Sequence, residues 1–333
     1  AMLYADAGRP RDALAPLERG RALVIALGKQ NVSVVSHQGA RHGATVIEYA
    51  LLGDTLIAWT IMDTSVTMHR ISVSRGKFLR AADQVRVALE TGAVDAATMS
   101  QLETLYNWLI RPLEVDLGPT GTPLVFIADG DVDAIPFPAL FDARQKSYLI
   151  ESHPLRFEPS LRDAEAPRPA LLSQNVRVLV VGDPTFDRRV FPSLDPLPGA
   201  HDEAMMVMNE YRDASTLFGA AATPTAVETA LPRADIVHYA GHAMVDDAHP
   251  DRSFLVLAAA RHEASTESIL GASRIRDLDL QRVRLVVLSA CEALAAHEGR
   301  SGGLAGLSGA FLAAGARGVV GSQWRVDDQS TRT

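Results

Sequence analysis

An α/β fold, with a mostly parallel sheet flanked by helices, is predicted for this chain of 333 residues, and three observations predict it. Short β-branched apolar runs with no polar face recur at residues 176–182, 234–242 and 283–291, the pattern of strands covered on both sides. Helical patterns alternate with them at 199–211, 225–230 and 303–314. The composition is that of a globular protein, 47% hydrophobic and 22% charged, and the length suits two subdomains better than one core.

In chain order, Ala7-Gly8-Arg9-Pro10 closes one helix and opens the next, with Gly past the end and Pro just inside the start. With Ala13 and Leu14 following, it resembles the turn of a tetratricopeptide repeat. Residues 1–30 are therefore expected to be the end of a helical repeat, the chain beginning inside a longer array. Residues 44–52, 55–62 and 66–72 are β-rich, and Gly53-Asp54 between the first two signals a hairpin. Helices are predicted over 75–90 and 96–114, with Asp95 as a cap, then a buried strand over 123–130 and a Pro-stiffened loop over 135–140. An α/β subdomain over 40–165 follows, without a convincing catalytic set. A linker is read at 163–173, and a second α/β subdomain over 170–333. In it, Ala204, Met205, Met208 and Tyr211 form a core-facing stripe, and strands are expected at 254–259 and 318–324.

The candidate chemistry lies at two strand ends. Cys291, the only cysteine, ends the run Leu285-Val286-Val287-Leu288-Ser289-Ala290, at the carboxyl edge where open α/β sheets place ligands. It is a candidate nucleophile, or else a small buried hydrophobe. The run Ile236-Val237-His238-Tyr239-Ala240-Gly241-His242 ends in a candidate base, His242. Alternation puts His238, Ala240 and His242 on one face, and His238 is read as a packed strand residue. His242 precedes Cys291 by 49 positions, close to the spacing of about 50 in caspases. A crossover between neighbouring parallel strands would bring both to one sheet edge.

The second half resembles the CHAT family, caspase-like domains found beside tetratricopeptide repeats and related to caspases and separases. The resemblance is carried by four ordered motifs: His238-Tyr239-Ala240-Gly241-His242-Ala243; Leu288-Ser289-Ala290-Cys291-Glu292; Gly302-Gly303-Leu304 with Ala310-Phe311-Leu312-Ala313-Ala314-Gly315-Ala316; and Val320-Gly321-Ser322-Gln323-Trp324-Arg325-Val326-Asp327-Asp328. It implies a caspase-like sheet, an N-terminal pseudo-caspase-like subdomain, and a cysteine endopeptidase with Cys291 as nucleophile and His242 as general base and acid. It also implies an oxyanion site made by the backbone N–H groups of Cys291 and Ala243. The family usually has Gly where Ala243 stands, so a positive φ there would strain the loop. Placement after Trp324 implies that Asp327 and Asp328 read a Lys or Arg in the substrate, unless they cap the next helix. Family members usually continue past the position of Thr333, so the chain is expected to stop short of the family's usual end.

Composition narrows the rest. With 40 acidic and 32 basic residues, net charge −8, a nucleic-acid surface is not expected. One cysteine cannot form an intramolecular disulfide, no apolar run reaches the roughly 20 residues that span a bilayer, and the first residues lack a signal-peptide pattern. A cytoplasmic protein needing no cofactor or metal is expected. Its partners would be a protein or peptide substrate and an upstream repeat or regulatory protein. The competing expectation is a catalytically silent scaffold or signalling module. An esterase is disfavoured by the absence of a Gly-x-Ser-x-Gly elbow, and a nucleotide site by the absence of a phosphate-loop lysine in Gly299-Arg300-Ser301-Gly302-Gly303.

Overall fold

The computed structural model describes residues 10–26, 43–63, 65–128, 130–158, 160–165, 176–246, 249–259, 268–290 and 306–322. The described residues fall into two compact units, one holding those up to Glu165 and the other those from Val176 onward.

The first unit comprises α1 (Pro10–Ala26), β1 (Thr45–Leu52), β2 (Thr55–Met62), β3 (Ser65–Ser72), α2 (Arg75–Thr91), α3 (Ala96–Leu109), β4 (Leu124–Ile127), β5 (Phe141–Asp142), β6 (Ser147–Tyr148), α4 (Leu149–Ser152), β7 (Leu155–Phe157) and α5 (Leu161–Glu165). Its main sheet runs β3-β2-β1-β4-β7. The first three strands pair antiparallel through hairpins, and β4 and β7 continue parallel to β1. Alternation decides the packing: Ile47, Tyr49 and Phe126 face the core containing Phe78, Leu102 and Leu105 of α2 and α3. The opposite face, with Val46, Trp59 and Val125, packs on Ala13 and Leu14 of α1. The indole N–H of Trp59 donates to the Pro10 carbonyl at 3.1 Å. Asp95 caps α3, accepting from the Thr98 N–H at 2.8 Å. That helix stops at Leu109 rather than at 114 because a 3₁₀ turn with Pro112 near its start takes over from Arg111.

The second unit comprises β8 (Arg177–Gly182), α6 (Pro198–Glu210), β9 (Asp213–Phe218), α7 (Pro224–Ala230), β10 (Ile236–Ala240), β11 (Ala243–Met244), β12 (Phe254–Val256), β13 (Ile269–Gly271), α8 (Ala272–Arg276), β14 (Leu285–Ser289), α9 (Gly306–Ala313) and β15 (Val319–Gly321). The main sheet, β15-β14-β10-β8-β9, is parallel throughout. One face, with Val178, Val180, Ile236 and Ala240, lies under Ala200 and Ala204 of α6. The other, with Leu179, Val181, Val237, Tyr239, Val286 and Leu288, is covered by Val227 of α7, Ile275 of α8 and Leu307, Ala310 and Phe311 of α9. An α/β sheet flanked by helices, as in a caspase-like fold, is therefore what the residues build.

The strand expected at 254–259 is shorter and lies elsewhere: β12 pairs antiparallel with β11 and β13 in a separate three-stranded sheet. Strand β9 was not expected. It forms the edge beside β8, where one side meets water and a continuous apolar run is not required.

Close packing of α6 over β8 requires a residue without a side chain at position 182. A Cβ on Gly182 would collide with Ala204 Cβ and the Phe218 ring. Gly182→Ala is expected to destabilise the protein by about 1–3 kcal/mol, the range for overpacked cores. Urea denaturation measures it, and an unchanged midpoint would mean that α6 and β9 give way without cost.

Candidate active site

Parallel pairing positions the candidate base. Strand β10 lies in the middle of the sheet, and its register with β14 runs from Ile236↔Leu285 to Ala240↔Ser289. His242 and Cys291 each come two positions after that last pair in the sequence. Cys291, Asp327 and Asp328 lie outside the described residues, so the geometry concerns His242, Ala243 and their surroundings.

The chain leaving β10 is tied down by its own backbone. The Gly241 N–H donates to the Ser289 carbonyl at 3.2 Å, and the Asp183 N–H to the Ala240 carbonyl at 2.9 Å. A Cβ at Gly241 would stand 2.8 Å from the Tyr239 hydroxyl oxygen and 3.0 Å from Pro184 Cδ, so the turn needs glycine for the close approach. The His242 carbonyl accepts from the Val256 N–H at 2.9 Å and is 2.6 Å from the Tyr239 hydroxyl. That hydroxyl also lies 2.8 Å from the Val256 carbonyl and shares its one proton between the two. Burial pushes the Tyr239 phenol far above its ordinary pKa, so it remains a donor.

The imidazole is oriented from the loop before α6. His242 Nε2 is 2.7 Å from the Asp195 carbonyl. A carbonyl can only accept, so Nε2 carries a proton, and in the neutral form of the ring Nδ1 is the nitrogen with the lone pair. The Phe186 ring meets the imidazole edge-on, with centroids 5.2 Å apart at 89°. Beside Phe186, the guanidinium and backbone N–H of Arg189 bind the Asp187 carboxylate and hold its pKa down to about 2. A His242 fixed by a third group on one nitrogen, with the other nitrogen basic, is the arrangement a nucleophile's partner needs.

Ala243 begins β11 and pairs with Leu255. The Val256 N–H to His242 carbonyl bond makes Ala243↔Leu255 a non-hydrogen-bonded pair. The Ala243 N–H therefore points away from β12, off the edge of the three-stranded sheet. The positive-φ non-glycine residues among those described are Asp63, Lys146 and Asp183. Ala243 is not one of them, so alanine in place of glycine introduces no left-handed strain here.

Sequence reading missed two groups. The Asp195 carbonyl is backbone and has no residue-type signature. Glu203 of α6 was not singled out in the sequence, yet its Oε2 accepts from Ser289 Oγ at 2.8 Å, and its Oε1 lies 3.0 Å from His238 Nε2. The latter is an ion-pair distance without hydrogen-bond alignment. His238 is buried and also lines a cleft of about 450 Å³ with Val207, Glu210, Tyr211, Ile236, Leu285 and Val287. His242 does not line this cleft. Among the described residues no cluster of three or more His, Cys, Asp and Glu could hold a metal ion, and no helix is long and apolar enough to cross a membrane.

Comparison with known proteins agrees with this architecture. The CHAT domain family model matches residues 100–333. The chain is 30% identical to mouse (Mus musculus) Tetratricopeptide repeat protein 28 over 272 residues and 31% identical to the human (Homo sapiens) protein over 271. Each alignment takes in 68% of this chain and 11% of the relative, so the chain spans about a tenth of the length of these relatives.

The Tyr239 hydroxyl joins the exit of β10 to β12, so its removal leaves carbonyl acceptors short of a buried donor. Tyr239→Phe is expected to lower stability by about 1–2 kcal/mol, read from denaturant midpoints. A change below about 0.3 kcal/mol would mean that this shared hydrogen bond does not hold the loop.

Proposed function

The chain belongs to the CHAT domain family, a caspase-like family, and from that premise we propose that it is a cysteine endopeptidase working through a dyad of Cys291 and His242. The observation that carries the reading is the parallel register Ala240↔Ser289, which ends two positions before each of the two residues. The orientation of His242 supports it from the other side, since Nε2–H is engaged by the Asp195 carbonyl and Nδ1 is the basic nitrogen.

In this reading His242 Nδ1 takes the thiol proton, and the Cys291 sulfur attacks the scissile carbonyl carbon. The carbonyl electrons move to oxygen, where the N–H groups of Cys291 and Ala243 receive them. Each such donor is worth roughly 3 kcal/mol in the transition state. As the tetrahedral species collapses, the C–N bond breaks and His242 gives its proton to the leaving amine. Water, deprotonated by His242, then cleaves the thioester and restores the thiol. Asp327 and Asp328 supply the negative charge for a Lys or Arg side chain at the cleavage position.

The same proposal divides the labour along the chain. Residues 40–165 form a non-catalytic α/β subdomain, residues 170–333 carry the chemistry, and residues 1–30 belong to a tetratricopeptide-like repeat. The relatives are named as tetratricopeptide repeat proteins, which fits control by an adjoining repeat domain or by a bound partner. A single thiol fits a reducing compartment such as the cytoplasm.

Peptidyl acyloxymethyl ketones bearing Arg, Lys, Asp or Leu at the reactive position test the dyad and the pocket together. The expected outcome is labelling of Cys291 by the Arg and Lys probes and a loss of about 10²- to 10⁴-fold in His242→Ala, the span of general-base catalysis. Absence of labelling by all four, while iodoacetamide still modifies Cys291, would contradict the peptidase reading and favour a catalytically silent scaffold.

A further inference from the structure

We propose that Glu203 is a positioning residue for the Cys291–His242 centre, clasping the middle of β10 to the carboxyl end of β14; the proposal rests on the dyad reading above and adds to it the group that holds the two strands in place. One stretch of chain, from Asp195 into the second turn of α6, touches this region at three points. The Asp195 carbonyl accepts from the His242 ring. Glu203 Oε2 accepts from the Ser289 hydroxyl on β14. Glu203 Oε1 stands 3.0 Å from the His238 ring on β10. Ser289 is two positions before Cys291, and His238 is four before His242.

Packing alone does not ask for these groups. The surrounding face of the sheet is apolar, with Val180, Ile236 and Ala240 under Ala200 and Ala204. A leucine or methionine at position 203 would cover it without desolvating a carboxylate. The Glu203 side chain is only 19% exposed and that of His238 8%, so the charge is withdrawn from water and its contacts must compensate. The two contacts fall on adjacent strands, at the last paired position of β14 and at the middle one of β10. Two further bonds act on the same spot: the Gly241 N–H donates to the Ser289 carbonyl, and Ser322 Oγ donates to the Ala290 carbonyl at 2.8 Å. The trio is not a second catalytic triad. The carboxylate accepts the serine hydroxyl, and His238 Nε2 has no hydrogen bond through which it could take that proton.

The test uses the full chain and the Arg-bearing acyloxymethyl ketone, with kinact and KI measured per reactive thiol so that misfolded protein does not enter the rate. Glu203→Ala is expected to lower kinact by roughly ten- to a hundredfold, the cost of misplaced reacting groups, and to leave KI within about twofold. Ser289→Ala, a smaller change that spares the helix, is expected to move kinact in the same direction. Glu203→Gln keeps the size and the acceptor for Ser289 and is expected to stay within about threefold of the unaltered protein. If His242→Ala lowers kinact while Glu203→Ala and Ser289→Ala do not, the positioning role is wrong and the dyad stands. If His242→Ala leaves kinact unchanged, or the unaltered protein does not react, the dyad reading fails and takes this proposal with it.

Discussion

The parallel pairing of β10 with β14 is the constraint on which the candidate site depends, because it brings side by side the two strands that precede His242 and Cys291. Parallel neighbours need a crossover between them, and the residues from 241 to 284 supply it with a small antiparallel sheet and α8. The paired strands are affordable only because both faces are covered, by α6 on one side and by α7, α8 and α9 on the other. Each fully buried Val, Leu or Ile then contributes about 1.5–3 kcal/mol, which fixes the register as well as the fold. A slip by one residue would turn Val237 and Tyr239 toward α6 and His238 toward the opposite core.

Once register is fixed, polar groups do the finer placement. The His242 main chain is held through its carbonyl by Tyr239 and Val256, and its ring is held by Asp195. The Tyr239 bonds are buried or half-buried, so a missing partner there costs more than the bond itself contributes, whereas the ring bond to Asp195 is exposed. Glycine at 241 permits the close approach of the Tyr239 hydroxyl. Rigidity at the exit of β10 thus comes from backbone and hydroxyl groups, while the chemistry assigned to the site rests on two side chains.

The central strands were legible because burial on both faces forces a continuous apolar run, as in Val178-Leu179-Val180-Val181 and Leu285-Val286-Val287-Leu288. Strand β9 was not, since Asp213-Ala214-Ser215-Thr216 faces partly outward at an edge. Strands β11 and β13 have two and three residues, too few to express a period of two, while β12 was legible but shorter than the expected 254–259. His242 stood out as a histidine ending an apolar strand. Its partner Asp195 did not, because a backbone carbonyl can be offered by any residue. Glu203 was hidden for another reason: on a helix beside Asp202 it reads as solvent-facing, and only the crossing of α6 over the sheet sets it against β10 and β14.

The most direct measurement of the account's central claim is the position of the His242 ring resonances, followed by NMR on ¹³C-histidine-labelled protein before and after Cys291 is capped with methyl methanethiosulfonate. If the two strand exits hold thiol and imidazole in one centre, capping the thiol displaces the His242 resonances and leaves those of the surface-exposed His249 in place. Identical His242 resonances with the thiol free and capped would contradict the claim.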